Sequence, residues 1–462
     1  MRLVVIGGSD AGISAGLRAR ELDATVEVSL LVADAFPNFS ICGLPYYLSG
    51  DVPDWRDLAH RTSDDLQKAG LRLLLDHTAH AIDPTAKQVT VTDADGGERQ
   101  LSYDRLVIGT GAVPVRPPID GLDLPGVHVL HTMGDTFALH QALTAGAGSA
   151  IIVGGGYIGL EMAEAFRARG LAVTLVEQAP AVMPTVDAEL GQLLGQELGR
   201  HDVQVVNDVA VKAIHQEADG LAVAGEPDFT ATADLVLVVV GVRPDTELAT
   251  AAGVQTGVRG ALRVDRQMRT NLPDVLAAGD CVETYHRLLD RPAYLPLGTT
   301  AHKQGRVAGE TAVGGTAEFA GSLGTQVVKV FELAVARTGL RDQDAREAGL
   351  DPITVGSVEF DHKAYYPGAH QLHLRITGDR RTGRLLGAQL LGDQRAQVAK
   401  RIDIPATALF HHMTVESLSD LDLSYTPPFG SPWDAVQMAA QTWTRQTRGG
   451  QPTQAASHET DP

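Results

Sequence analysis

Cysteine is nearly absent from this 462-residue sequence, which holds only Cys42 and Cys281. Two thiols cannot staple a small secreted scaffold, nor can they build a zinc site on several thiolates. Basic residues are also short. The chain carries 38 Lys and Arg against 57 Asp and Glu, a formal net charge of −19. That balance excludes a general binder of nucleic acid or anionic membrane, while leaving room for a local basic pocket. No apolar run reaches the about 18 residues of a transmembrane helix. MRLVVIGG leads straight into a strand, without a signal-peptide cleavage region. Metal-ligand spacings are missing from the core motifs, and the adjacent His411 and His412 would point about 100° apart on a helix, so no metal is expected. What remains is the profile of a cytoplasmic α/β protein with two or three domains. Its 49 glycines point to several tight turns between strand and helix.

The apolar run 2–6 ends in Gly7-Gly8-Ser9-Asp10-Ala11-Gly12, and apolar residues at helical spacing follow over 13–22. The same order returns at 150–153, Gly154-Gly155-Gly156-Tyr157-Ile158-Gly159 and a helix over 160–169. Such turns let backbone N–H groups and a helix N-terminus meet a pyrophosphate without a side chain in the way. Glu177 closes the strand after the second turn, where a carboxylate binds ribose hydroxyls and repels a 2′-phosphate. NADH is therefore favoured over NADPH. In the first turn Ser9 takes the middle position, and the usual place of the ribose-binding acid holds Val32-Ala33, with Asp34 just past it. Gly279-Asp280, after the run 275–278, adds a carboxylate suited to hydroxyls or phosphates of a long ligand. Two dinucleotide units on one chain suggest a flavin in one and a nicotinamide in the other, with hydride passing between them. The runs 105–108 and 235–240 end in Gly109-Thr110-Gly111-Ala112-Val113-Pro114 and Gly241-Val242-Arg243-Pro244. From about residue 324 the texture turns to β-rich alternation, expected as a separate α+β domain. The polar tail beyond about residue 445 is expected to be disordered.

Taken in order, these motifs resemble the flavin-dependent pyridine nucleotide–disulfide oxidoreductases over about residues 2–440. The resemblance rests on Gly7–Gly12, Cys42-Gly43-Leu44-Pro45-Tyr46, Thr110-Gly111-Ala112, Gly154–Glu161, Gly241-Val242-Arg243-Pro244, Ala278-Gly279-Asp280, Met413-Thr414-Val415-Glu416 and the segment Asp420–Pro428. Within that family the chain resembles the single-cysteine branch of coenzyme A-disulfide reductases, NADH oxidases and NADH peroxidases. The resemblance implies two Rossmann-like dinucleotide-binding domains and a C-terminal α+β dimerisation domain. The FAD domain would be discontinuous, 1–113 and 245–322, with an NAD(P)H domain over 114–244. A dimerisation domain over 323–445 would make a homodimer and complete each active site, and 446–462 would be tail. FAD would be bound by Gly7, Gly8, Ser9, Gly12, Asp34, Thr110, Gly111, Ala112, Gly279 and Asp280. NADH, or NADPH in its place, would be bound by Gly154, Gly156, Tyr157, Ile158, Gly159, Glu161, Glu177 and Gly241, with Glu161 near the nicotinamide.

The resemblance places Cys42 beside the flavin ring, its thiolate helped by a helix N-terminus. Only a thiolate attacks a disulfide. Five positions on, where the dithiol branch has a second cysteine, stands Tyr47, so no intrachain redox disulfide can form there. Cys281 is expected to be structural. Two chemistries then compete: reduction of a small disulfide through a mixed disulfide on Cys42, or an NADH oxidase or peroxidase cycle through a Cys42 sulfenic acid. The oxidases and peroxidases usually carry His inside the first Gly-rich turn, where this chain has Asp10. Coenzyme A-disulfide reductases hold two C-terminal tyrosines over the partner subunit's cysteine. Tyr425 and either Tyr365 or Tyr366 resemble them, and a phenol there can protonate a departing thiolate. Those enzymes usually have Ser-Phe-Ala-Asn before the cysteine; here Asn38-Phe39-Ser40-Ile41 stands, and Ile41 cannot hydrogen-bond a pantetheine chain. Another low-molecular-weight disulfide, a persulfide or a polysulfide therefore stays open as substrate. Asn38 and Ser40 are candidate substrate contacts, and Arg18, Arg20 and Arg61 could supply a basic pocket. A slow-turnover redox-sensing flavoprotein is the reading from a different class.

Overall fold

The structure is a computed structural model that describes residues 1–448. The chain divides into two compact units, Met1–Pro184 with Leu198–Ser322, and Thr185–Glu197 with the chain from Leu323 onward.

The first unit is built on two parallel five-stranded sheets. One runs in the order Val275–Ala277, Arg105–Ile108, Arg2–Ile6, Glu27–Leu31, Leu71–Leu74. Its central strand is covered on both faces, which is why it reads as an unbroken apolar run rather than an alternation. On one face lies the helix Asp10–Leu22, packed against the helix Gly298–Ala312. Their approach is close because Gly305 and Gly309 face the backbone of Ala11 and Ala15. A methyl carbon on either glycine would stand 2.3 or 2.2 Å from those carbonyl oxygens. The antiparallel strands Thr78–Asp83, Gln88–Thr92 and Glu98–Ser102 belong to the other apolar core, where Val89 and Val91 are fully buried.

The second sheet runs Val203–Val206, Ala172–Val176, Ser149–Val153, Leu235–Val238, Val127–His128, again all parallel. Its helix Tyr157–Ala168 follows the second Gly-rich turn. Both helices start earlier than their apolar spacing predicts, at Asp10 and Tyr157, so the Gly-rich turns themselves form the helix N-termini. An antiparallel ribbon of Ala112–Pro114 and Val242–Pro244 pairs the segments that leave the two sheets.

The second unit is an antiparallel sheet in the order Gln326–Val330, Leu333–Gly339, Leu385–Asp393, Gln371–Asp379, Pro352–Phe360. The helix Ala435–Arg448 packs on its last two strands, with the Trp443 indole N–H donating to the Ile353 carbonyl at 2.9 Å. That helix carries the chain through residues 446–448, the first three of the expected tail; the remainder, 449–462, lies outside the described residues. Among the described residues no helix is long and apolar enough to cross a membrane.

Candidate functional site

The two Gly-rich turns are built alike. Gly7 (φ +113°) and Gly154 (φ +112°) both occupy backbone conformations that L side chains avoid. A methyl carbon on them would lie 2.0 Å from the Gly109 oxygen and 2.6 Å from the Val239 oxygen. The next residue in each turn faces the end of the second strand: Gly8 sits over Val32, and Gly155 over Glu177. Val32 is thus the spatial counterpart of Glu177, and the first turn has no carboxylate there. Glu177 is buried, accepting from the Gly155 N–H at 2.6 Å and the Ala179 N–H at 2.8 Å. It pins the turn, and each carboxylate oxygen keeps a further lone pair. Asp34 accepts from the Phe36 N–H at 2.8 Å, and burial pushes its carboxyl upward.

Cys42 lies in the short turn Ile41–Gly43, which runs into the helix Leu44–Ser49. The loop before it is pinned from two sides. Phe36 and Trp55 each pack edge-on against Phe137, with ring centroids 5.4–5.5 Å apart. The Asn38 carbonyl accepts from the His60 N–H at 2.9 Å, and the Ser40 N–H donates to the Leu58 carbonyl at 2.8 Å. The helix Leu44–Ser49 packs on Tyr157–Ala168, where the Tyr46 hydroxyl donates to Glu161 Oε1 at 3.3 Å. Cys42 is exposed, yet the protein around its sulfur pushes the thiol up, first by desolvation and then through Glu161, Asp10 and Asp280. The helix start expected to favour the thiolate therefore works against three carboxylates.

Asp280 follows Gly279, whose N–H donates to Gln304 Oε1 at 2.9 Å. Burial pushes the Asp280 carboxyl up to about 6, with Asp10 adding to the effect and the Leu297 N–H opposing it. Cys281 is fully buried, its thiol pushed up to about 11, and it packs in the apolar core under the first sheet. Thr110 donates to the Asp245 carbonyl at 2.6 Å and the Gly111 carbonyl accepts from the Asp245 N–H at 3.0 Å, which sets the path of the chain after the strand Arg105–Ile108. Ala112 and Gly241 flank the antiparallel ribbon, where the Gly241 carbonyl accepts from the Val115 N–H.

Two buried polar side chains in this region have no hydrogen-bond partner among the described residues. The Asn38 amide is 1% exposed with both Nδ2 and Oδ1 unpaired, and its backbone is left-handed (φ 60°). The Tyr294 hydroxyl, buried near Asp280 and Cys281, is likewise unpaired. Orphaned groups of this kind cost about 1–3 kcal/mol each unless a ligand or water satisfies them. With the glycine cradle they fit a long, polar dinucleotide.

The candidate basic pocket is not assembled from free cations. Arg18 pairs with Glu310 at 2.5 Å and Glu21 at 3.0 Å, clipping the Asp10–Leu22 and Gly298–Ala312 helices together. Arg20 donates to the Ala24 and Val26 carbonyls, and of the three only Arg61 is exposed with no ion pair to a carboxylate among the described residues. In the second unit, Tyr425 lies near Tyr365, a residue 60 positions away, and Tyr366 stacks edge-on against His362 at 5.8 Å. These phenols stay open to solvent: Tyr365 is 74% exposed and Tyr425 43%. Phe360, Phe429 and Trp433 of the same unit are also exposed.

Sequence reasoning misses three features. Tyr46 stands out only as part of a motif, the aromatic clamp of Phe36, Trp55 and Phe137 has no local signature, and His302 is one histidine among many. His302 Nε2 lies 3.2 Å from Asp10 Oδ1, across 292 residues of chain. A histidine in the helical stretch that follows Asp280 is the only available signal.

A parallel sheet with a glycine cradle at each of two strand–helix turns, and one exposed thiol between them, defines a dinucleotide-dependent oxidoreductase. The chain belongs to the pyridine nucleotide-disulphide oxidoreductase family: the family profile matches residues 1–305, and the dimerisation domain of the same family matches residues 325–436. Membership implies a flavin and a pyridine nucleotide. The chain is 33% identical over 441 residues to an NAD(P)H sulfur oxidoreductase (CoA-dependent) of Pyrococcus abyssi, covering 95% of this chain and 97% of that one. It is 31% identical over 447 residues to an NADH oxidase of Methanocaldococcus jannaschii, covering 96% and 98%. Among solved structures it is similar to an NAD-dependent persulfide reductase from A. fulgidus, with a TM-score of 0.93 at 36% identity, covering 97% of this chain and 84% of that chain.

Proposed function

We propose that this protein uses NADH and FAD to reduce the sulfur–sulfur bond of a low-molecular-weight disulfide, persulfide or polysulfide through Cys42. The observation that carries this reading is a single exposed thiol at the mouth of a pinned loop, while the second cysteine is fully buried. FAD would be held by Gly7, Gly8, Ser9, Gly12, Thr110, Gly111, Ala112, Gly279 and Asp280 in residues 1–113 and 245–322, and supplies the two-electron link between nicotinamide and sulfur. Asp34 extends that site past Val32. Residues 114–244 would hold NADH through Gly154, Gly156, Tyr157, Ile158, Gly159, Glu161 and Gly241, with the Glu177 carboxylate favouring a free 2′-hydroxyl.

In the reaction, the Cys42 thiolate attacks one sulfur of R–S–S–R. The old S–S bond breaks, RS⁻ leaves and takes up a proton, and a mixed disulfide remains on Cys42. Two electrons from NADH then cleave that disulfide, regenerating the Cys42 thiolate and releasing a second RSH. The Ser40 hydroxyl lies on the loop that carries Cys42, with Arg61 the one candidate cation still open to solvent, while the Asn38 amide is buried inside that loop and not on its surface. We further propose that residues 323–445 make a homodimer, and that exposed Tyr425, Tyr365 and Tyr366 offer a phenol to the departing thiolate of the other protomer. An exposed reduced thiol suits the cytoplasm.

The experiment is an anaerobic NADH titration followed by coenzyme A disulfide, other thiol disulfides, polysulfide, peroxide or oxygen, in wild type and Cys42→Ser. NADH turnover with sulfur acceptors that disappears in Cys42→Ser is expected. Fast turnover with oxygen alone, retained in Cys42→Ser, would refute the thiol mechanism in favour of an oxidase.

A further inference from the structure

We propose that the Tyr46 hydroxyl and a bound nicotinamide nucleotide compete for the Glu161 carboxylate, so that filling the second Gly-rich turn releases the segment that carries Cys42. Tyr46 is then a positioning residue, acting on the sulfur through the short helix that follows it. The proposal rests on the second turn being the nucleotide site and on Cys42 being the working thiol.

The segment after Cys42 is tied to the helix of the second turn at two points. The helix Leu44–Ser49 packs along Tyr157–Ala168. Nearer the sulfur, the Tyr46 hydroxyl donates to Glu161 Oε1 at 3.3 Å. Farther along, the Leu48 carbonyl accepts at 2.6 Å from Nε of Arg169, the residue that caps the longer helix. The Tyr47 ring also stacks on the His140 ring at 5.2 Å, and Gly50 (φ +97°) ends the short helix in a left-handed conformation. The two ties differ in strength. Arg169 makes a short bond with a charged donor, whereas 3.3 Å lies past the ~3.0 Å limit of an ordinary O–H···O bond. The weak tie is the one closer to the cysteine.

Glu161 is the point at which a nucleotide reaches this contact. Gly159 packs so closely on Gly154 that a methyl carbon there would stand 1.9 Å from the Gly154 oxygen, so the turn and the start of the helix form one piece. Tyr157 opens that helix, and Glu161, one turn further on, is its first acid. A carboxylate only accepts, and a nicotinamide carboxamide brings an NH₂ donor. Burial pushes the Tyr46 phenol up, with Glu161 adding to the effect, so the hydroxyl keeps its proton and stays the rival donor. Once it is displaced, the Arg169 bond and the Tyr47–His140 stack still hold the far part of the segment, and the Cys42 end is left without its tie.

The test uses the flavin-loaded protein, reduced with excess dithiothreitol and desalted, and NAD⁺, which delivers no hydride. It measures the Kd for NAD⁺ by calorimetry and the rate of Cys42 alkylation by iodoacetamide with and without saturating NAD⁺, with Cys42→Ser as the labelling control. In wild type NAD⁺ is expected to speed alkylation about threefold, the low end for the loss of one hydrogen bond. Tyr46→Phe deletes only the hydroxyl. It should alkylate at the faster rate without nucleotide, gain nothing from NAD⁺, and bind NAD⁺ about threefold more tightly, because the coupling is reciprocal. In a Glu161→Ala background, Tyr46→Phe should change neither quantity. No NAD⁺ effect on wild-type alkylation, an unchanged Kd in Tyr46→Phe, or an acceleration that persists in Tyr46→Phe would overturn the proposal. Failure of NAD⁺ to bind wild type would remove the nucleotide site and this proposal with it. Retained sulfur-acceptor turnover in Cys42→Ser would sink the thiol mechanism instead, and the Kd comparison does not depend on it.

Discussion

Replacing Asp280 by Asn should stabilise the flavin-free protein and weaken its hold on flavin. The Asp280 carboxyl is pushed from its ordinary 3.8 up to about 6, chiefly by burial and then by Asp10. Between those two values the folded protein keeps a proton that the unfolded chain has released. The stability tied to that proton is complete below pH 3.8 and is lost as the pH rises through 6. At pH 7 the ionised carboxylate therefore opposes folding by about 3 kcal/mol, an opposition that falls to roughly half at pH 5 and nearly vanishes at pH 4. Asparagine is close in size and stays neutral at every pH, so the substitution removes that opposition and little else. Urea unfolding of flavin-free wild type and Asp280→Asn at pH 4, 5 and 7 measures the difference directly. The same variant should retain less flavin through gel filtration if, as proposed above, Asp280 is one of the residues that hold it. A gain of equal size at all three pH values, or a loss of stability at pH 7, would refute the reasoning.

Three further outcomes can be checked. The folded protein should take up one equivalent of a thiol reagent at Cys42, with Cys281 reacting only after unfolding, because burial holds its thiol near 11; two fast equivalents in the folded state would contradict that. Glu177→Ala removes the acceptor of two backbone N–H groups, so it should cost about 1–3 kcal/mol of stability and raise the KM for NADH more than that for NADPH. A larger loss with NADPH would argue against a ribose-binding carboxylate. Tyr425→Phe deletes one exposed hydroxyl, so its stability should stay within about 0.5 kcal/mol of wild type while kcat with a disulfide falls; an unchanged kcat would remove the phenol from the reaction.

Local signals carried most of the fold. A strand covered on both faces must be apolar throughout, and a turn that brings a helix N-terminus back on its strand must be glycine. Arg2–Ile6 with Gly7 and Ser149–Val153 with Gly154 were therefore readable as strand and turn. The start of each helix was less readable: Asp10 and Tyr157 are polar or aromatic residues that add nothing to an apolar period. The tyrosines were legible singly. That Tyr365 meets Tyr425 depends on two loops 60 residues apart closing on each other, which no spacing encodes.

The arginines show the reverse case. On sequence alone Arg18 is a cation with no stated partner, but Glu310 sits 292 residues away and reaches it only because two helices cross at glycines. The same crossing sets His302 on Asp10. The sequence by itself determined two Gly-rich strand–helix turns, a lone cysteine in the segment after the second strand, and the family, because each of those rests on residues close together in the chain. The tertiary structure alone decided which charges surround that thiol. Electrostatic partners are chosen by distance in space, and the three acids, the histidine and the buried Asn38 amide come from separate segments of the chain that only folding brings near one another.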